Sequence, residues 1–231
     1  MKYRPEVDGL RALAVLPVMF FHAGFEMFSG GFIGVDVFFV ISGYLITTII
    51  MSEMTKDKFS LLNFYVRRIR RIFPALIFVM LAVIPVSWAL LLPRDMKDFS
   101  QSLVSTTFFL SNVLFWLEAD YFDTASELKP LLHTWSLAVE EQYYIFFPGF
   151  MILVWKYYKK YLITLLLLIA LLSLAASHWY ALTDPTYAFY MIHTRLWELL
   201  IGAIVAVILF ERDSLYPRKS YFRFFGLLGK V

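Results

Sequence analysis

Arg11 and His22 are the first two side chains in this 231-residue sequence whose types and spacing could carry a reaction. Eleven residues make about three helical turns, so on a helix both lie on one face, roughly 16 Å apart along the axis. An imidazole titrates close to neutrality and can take a proton from a hydroxyl group, while a guanidinium can hold an anion. A core histidine hydrogen-bonded between helices, with the arginine extended to lipid headgroups, accounts for the same spacing equally well.

Three further groups carry chemistry of their own. Arg67-Arg68-Ile69-Arg70-Arg71 stands just before an apolar run that opens at Ile72. Guanidinium groups bind diphosphates and phosphate esters bidentately. A cluster that only anchors the topology and touches anionic lipid is the plainer reading, and without further context it is favoured. In Leu132-His133-Thr134-Trp135-Ser136-Leu137-Ala138-Val139-Glu140-Glu141-Gln142-Tyr143-Tyr144, N-terminal capping explains one of Glu140 and Glu141, but it does not require both acids together with His133. Arg195 and Glu198 are spaced for a local ion pair, and Asp36 with Ser42-Gly43 fits helix packing and a buried hydrogen bond. The sequence has no cysteine, which excludes disulfides, thiolate nucleophiles and thiolate zinc sites. No second histidine falls at ligand spacing from His22 or His133, so no metal is expected.

The elements that must position these residues are membrane helices. The chain is 60% hydrophobic and 19% aromatic but only 17% charged, whereas a soluble domain carries about 25% charge. Runs long enough to span hydrocarbon lie at about 10–28, 32–52, 72–92, 136–155, 161–182 and 194–211. A seventh run begins near Phe222. The first could be mistaken for a secretory signal, but no small-residue cleavage site follows and His22 interrupts it. The predicted fold class is therefore all-α, a polytopic transmembrane bundle of six full spans plus the start of a seventh.

Lys and Arg are dense in 53–71, 156–160 and 212–223 and absent from 25–31 and 183–194. A cytoplasmic N-terminus places every basic connection inside, provided that 102–117 does not cross. That segment carries Ser105, Thr106, Thr107, Ser111 and Asn112, and reads as re-entrant or interfacial.

Taken in order, the motifs resemble the acyltransferase-3 family of membrane O-acyltransferases. Tyr3-Arg4-Pro5-Glu6-Val7-Asp8-Gly9-Leu10-Arg11 looks like the family's opening, and Arg11 with His22 matches its R-x10-H motif. Gly34-Val35-Asp36-Val37-Phe38-Phe39-Val40-Ile41-Ser42-Gly43-Tyr44 resembles its second-helix signature. Arg67, Arg68 and Arg71 match RRxxR, LLHTWSLAVEEQYY matches HTWSLxVExQFY, and Arg195-Leu196-Trp197-Glu198 matches a later feature.

The resemblance implies about ten helices and an enzyme of the bacterial inner or plasma membrane. Its implied co-substrate is cytoplasmic acyl-CoA, usually acetyl-CoA, with no bound cofactor. The implied acceptor is a glycan or lipid-linked glycan at the outer face: lipopolysaccharide, peptidoglycan or exopolysaccharide. By the same carry-over His22 and Arg11 are the catalytic pair, Arg67, Arg68 and Arg71 serve the donor side, and Glu140 serves the acceptor side.

The family domain runs beyond 300 residues, so a chain ending at Val231 is expected to be an incomplete bundle, weakly active or inactive alone. A transporter or flippase for a lipid-linked sugar, or an inactive remnant, are the competing readings. No internal repeat supports the transporter, and a transporter has no need of a phosphate clamp at one face. Nucleic acid is not an expected partner, because the basic residues sit at membrane boundaries and form no continuous face.

Overall fold

Long apolar runs in this sequence are cut by short clusters of Gly, Pro and charged residues, and helices form between those cuts. The computed structural model describes residues 5–119 and 129–215. Among them the order is α1 (Pro5–His22), α2 (Gly34–Met54), α3 (Leu61–Leu90), α4 (Pro93–Thr107), α5 (Ser111–Leu117), α6 (Thr134–Tyr157), α7 (Leu162–Thr183), α8 (Pro185–Tyr190) and α9 (Ile192–Leu215). The described residues contain no strand, and the fold is an all-α polytopic bundle. The run expected to start near Phe222 lies outside the described residues.

Five helical segments among the described residues are long and apolar enough to cross a membrane: Gly31–Met54, Leu61–Leu90, Thr134–Tyr157, Lys159–Thr183 and Pro185–Arg212. The run expected at 10–28 behaves differently. Its helix ends at His22, where the chain reverses through Gly24 at φ +80°, and the Phe25 amide bonds back to Phe20 O at 3.1 Å. Glu6, Asp8 and Arg11 also charge its first half. The third helix is longer than expected. Ser60 caps it, its side chain accepting from the Asn63 amide at 3.4 Å, so α3 starts at Leu61 and the arginine cluster lies within the helix, not ahead of it.

The core sits between α2, α6 and α9, with α7 closing one side. It contains Phe39, Ile46, Ile50 and Met51 of α2, Val139, Phe147 and Met151 of α6, and Leu199, Ala203 and Val207 of α9. Helix α9 runs parallel to α2, since Asp36 near the start of one meets Arg195 near the start of the other; midway, Gly43 meets the backbone of Leu199 and Gly202 meets Val40 and Tyr44. A Cβ at either glycine would overlap main-chain atoms of the facing helix, so these two positions set the interaxial distance. Helix α1 packs antiparallel on α2 by the same means, with Gly31 against Pro17 and Gly34 against Ala14. The outward faces of α3 and α7 are apolar, exposing Phe78, Leu81, Trp88, Leu168 and Leu172, as hydrocarbon requires.

Segment 93–117 folds as two short helices that reverse at Phe109, which adopts φ +55°. Gln142 of α6 donates to Phe109 O and to Asn112 Oδ1, both at 2.8 Å, and Asn112 donates to Tyr190 O at 3.1 Å. Thr106 and Ser111 bond to the first residue of α6, Thr134, each at 3.0 Å. The polar residues that distinguish this segment from a span thus lock its tip against the helix that follows.

Replacing Gly43 by Val is expected to separate α2 from α9 and cost about 3 kcal/mol, lowering the thermal midpoint of the detergent-solubilised chain by roughly 6–12 °C. Gly149→Ala, where nothing lies within 4 Å of the new methyl, should leave the midpoint unchanged or raise it.

Candidate active site

His22 is the last residue of α1, and its ring is exposed. Its Nδ1 lies 2.8 Å from Val18 O, one turn back. A carbonyl oxygen only accepts, so Nδ1 carries the hydrogen and the neutral ring presents an unprotonated Nε2. The helix end holds the ring in the tautomer that a general base at Nε2 needs. His133, immediately before α6, faces the same end of the bundle. It keeps solvent-exposed surface, yet partial desolvation by its surroundings lowers its pKa, and the nearby charge of His22 lowers it further.

Arg11 lies three turns away on α1 and does not meet His22. Its guanidinium sits 5.2 Å from the Phe38 ring of α2, and its Nε is buried without a hydrogen-bond partner among the described residues. Of the predicted pair, then, one member faces solvent at the helix end and the other is turned into the α1–α2 seam.

Asp36, Arg195 and Glu198 come together although 159 positions separate the first two. Arg195 hydrogen-bonds to Asp36 through Nη2, and its Nη1 is 3.1 Å from Glu198 Oε1. The sequence spacing showed only the second contact. Phe39, Trp135 and Phe189 surround the guanidinium at 5.7–5.8 Å. A residue that sequence reasoning passed over fixes this arrangement. Ser173 of α7 donates to His193 O at 2.7 Å and accepts from the Trp197 amide at 3.0 Å, inserting its hydroxyl into the first turns of α9 around Arg195. A serine in the middle of a leucine-rich span was the only signal for it.

Glu140 and Glu141 are both buried in α6. Tyr144, one turn on, donates its hydroxyl to Glu140, and Ser42 of α2, its Oγ buried without a hydrogen-bond partner among the described residues, lies near the same hydroxyl. Arg68 reaches in from α3, 5.2 Å from the Tyr144 ring and within electrostatic range of both glutamates. The three donor-side arginines therefore part company. Arg68 joins the buried cluster, Arg67 grips both oxygens of Glu53 at 2.9 Å, and Arg71 is exposed. The resemblance set Arg68 and Glu140 to serve opposite sides, whereas in the structure they belong to one cluster. Tyr144 was legible as part of a motif but not as the donor to Glu140. Among the described residues no group of three His, Asp or Glu side chains could hold a metal ion.

Removing one partner from a buried ion pair leaves a charge uncompensated, at about 3–5 kcal/mol. Arg195→Met is expected to destabilise the chain by that amount, and Arg195→Met with Glu198→Gln by distinctly less than the sum of the two single changes. Thermal unfolding of the four proteins in a double-mutant cycle measures the coupling.

The family model for the acyltransferase domain matches residues 4–231. The chain is 39% identical over 228 residues to the peptidoglycan O-acetyltransferase OatA of Listeria monocytogenes, covering 95% of this chain and 36% of that protein. It is 39% identical over 215 residues to the putative peptidoglycan O-acetyltransferase YrhL of Bacillus subtilis, covering 90% of this chain and 33% of that protein. It is 36% identical over 215 residues to the O-acetyltransferase OatA of Staphylococcus aureus, covering 90% and 35%. The chain thus spans about a third of the length of these relatives. No solved structure matches it. With the family model matching almost from end to end and the motifs in place on α1, α2, α3, α6 and α9, this chain belongs to the acyltransferase-3 family of membrane proteins.

Proposed function

We propose that this chain transfers an acetyl group from acyl-CoA to a hydroxyl of peptidoglycan, in the bacterial plasma membrane. The observation that carries the reading is the His22 tautomer, an imidazole exposed at a helix end with Nδ1–H anchored on Val18 O and Nε2 free. Three relatives that carry O-acetyltransferase in their names support the class of reaction, and the two named for peptidoglycan support the acceptor.

In the proposed chemistry Nε2 accepts the proton of the acceptor hydroxyl as its oxygen bonds to the acyl carbon. The carbon–sulfur bond of the thioester breaks, and the proton leaves on the departing thiol. Arg11, three turns deeper on α1 with its Nε unpartnered, holds an anionic oxygen of the donor away from the reacting carbon. The acceptor approaches the end of the bundle that carries His22, His133 and the 93–117 hairpin. The donor approaches the end where Lys56, Lys58 and Arg67 lie, consistent with basic connections on the cytoplasmic side. The 93–117 hairpin, pinned by Gln142, enters the membrane from the acceptor side without crossing.

Replacing His22 by Ala is expected to lower acetyl transfer about 10²–10⁴-fold with the amount of inserted protein unchanged. Radiolabelled acetyl incorporation in membranes carrying the chain is the measurement, and undiminished label in the variant would remove His22 from the mechanism. His133 gives a separate signature in stability. Its pKa is lower folded than unfolded, so the unfolded chain binds more protons just below the ordinary value of 6.5. Stability should therefore fall as pH drops through that region, and His133→Gln should flatten the dependence in thermal melts between about pH 7.5 and 5.

A further inference from the structure

Helix α2 ends at Met54, and the chain turns through Asp57, at φ +52°, before α3 begins. The turn is fixed by its own backbone. The Lys58 amide returns to Glu53 O at 3.0 Å and the Asp57 amide to Met54 O at 3.1 Å. Two lysines are thereby held on either side of the turn, facing the second turn of α3. A cavity of about 320 Å³ lies there, lined by Ile49, Ser52, Glu53, Lys56, Lys58 and Arg67. It is at the small end of the ~300–1,000 Å³ usual for ligand sites, the size for a phosphate-bearing group and not for a whole coenzyme.

Three cations face one anion in this cavity. Glu53 takes both of its carboxylate oxygens to a single Arg67 nitrogen, the geometry a phosphate would otherwise occupy. Ser52 adds a hydroxyl donor to the lining. The surplus of positive charge, a neutral donor and a carboxylate seated on the arginine together describe an anion site closed by its own counter-ion.

We propose that this cavity at the α2–α3 turn binds a phosphate ester through Lys56, Lys58 and Arg67, with Glu53 as the built-in competitor that the incoming phosphate displaces. The proposal deepens the donor reading given above and rests on it for the source of the phosphate, not for the site. Lys56 and Lys58 belong to none of the sequence motifs, and Glu53 opposes binding instead of assisting it.

The test uses the full chain in phosphatidylcholine nanodiscs, with adenosine 3′,5′-bisphosphate as the probe in calorimetric titration. Lys56→Gln and Lys58→Gln should each weaken binding by about tenfold. Glu53→Gln should tighten it about two- to fivefold, since it releases Arg67 from an exposed pair. Added phosphatidylglycerol that abolishes bisphosphate binding through the same lysines would assign the phosphate to a lipid headgroup, keeping the site and removing the donor from it. Binding of neither ligand depending on the lysines, or weaker binding in Glu53→Gln, would overturn the proposal. Lysine-dependent binding alongside acetyl transfer indifferent to His22 would instead retain the site and reject the transferase. Lysine-independent binding with His22-dependent transfer would do the reverse.

Discussion

A guanidinium and two carboxylates inside an apolar bundle are tolerable only together, and Asp36, Arg195 and Glu198 are brought together by two helices that could not approach if either Gly43 or Gly202 carried a side chain. The dependence runs both ways. The glycines allow α2 and α9 to touch along their length, and the ion pair decides which register they touch in. A shift of one residue would turn Asp36 about 100° away from Arg195 and leave charge in hydrocarbon. Phe39, Trp135 and Phe189 then close around the guanidinium, so the start of α6 takes its place from the same contact. Ser173 extends the arrangement to α7. Four helices are thus indexed to one cation.

The 93–117 hairpin is held by a different principle, the satisfaction of polar groups in place of charge. Gln142 uses both amide hydrogens on the hairpin tip, and Asn112 passes the connection on to Tyr190. Trp116 reaches Asp184 at 3.4 Å, and the Asp184 side chain also caps α8 through the Tyr187 amide at 2.9 Å. Each bond is modest in water, but an unmade one in an apolar setting costs about 1–3 kcal/mol. The hairpin is therefore fixed over the start of α6, next to His133.

What could be read from the sequence follows what is local. Arg11 and His22 share a helix, so three turns of regular geometry gave their separation, and the apolar runs gave helices α2, α6, α7 and α9 to within a few residues. The polar content of 102–117 set it apart from the long apolar runs, and in the structure it belongs to two short helices. Where periodicity was silent the reading was incomplete. Leu61–Val66 looks like a loop following charge, but the Ser60 cap makes it two turns of α3, which rotates Arg68 inward and Arg67 toward Glu53. Asp36 pairs with a residue 159 positions away, and no spacing rule within one helix could show it. Glu140 and Glu141 were both legible as charged residues in α6, whereas the tyrosine that donates to Glu140 comes from a turn away and the serine beside that tyrosine from another helix.

Helix α2 also works as a ruler for the proposed reaction. Asp36, Ser42 and Glu53 mark three levels along it, separated by about 9 Å and about 16 Å of helix rise. The first level holds the Arg195 ion cluster, close to the end where His22 stands. The second holds the Ser42, Tyr144, Glu140 and Arg68 cluster, and the third holds Arg67 and the lysine-lined cavity. The whole distance is about 26 Å, close to the roughly 30 Å of a bilayer's hydrocarbon. A phosphate-bearing donor held at the third level and a hydroxyl acceptor at the first are separated by most of a membrane. In the proposed reaction the thioester end of the donor spans that distance, and the buried cluster around Tyr144 is where three helices supply polar groups along it. Arg11, level with Phe38, lies between that cluster and His22. Basic anchors alone would need nothing in the middle. In the proposed reaction a donor arm reaching from the third level to His22 would pass the Tyr144 cluster, and the polar groups for that depth are the ones gathered there.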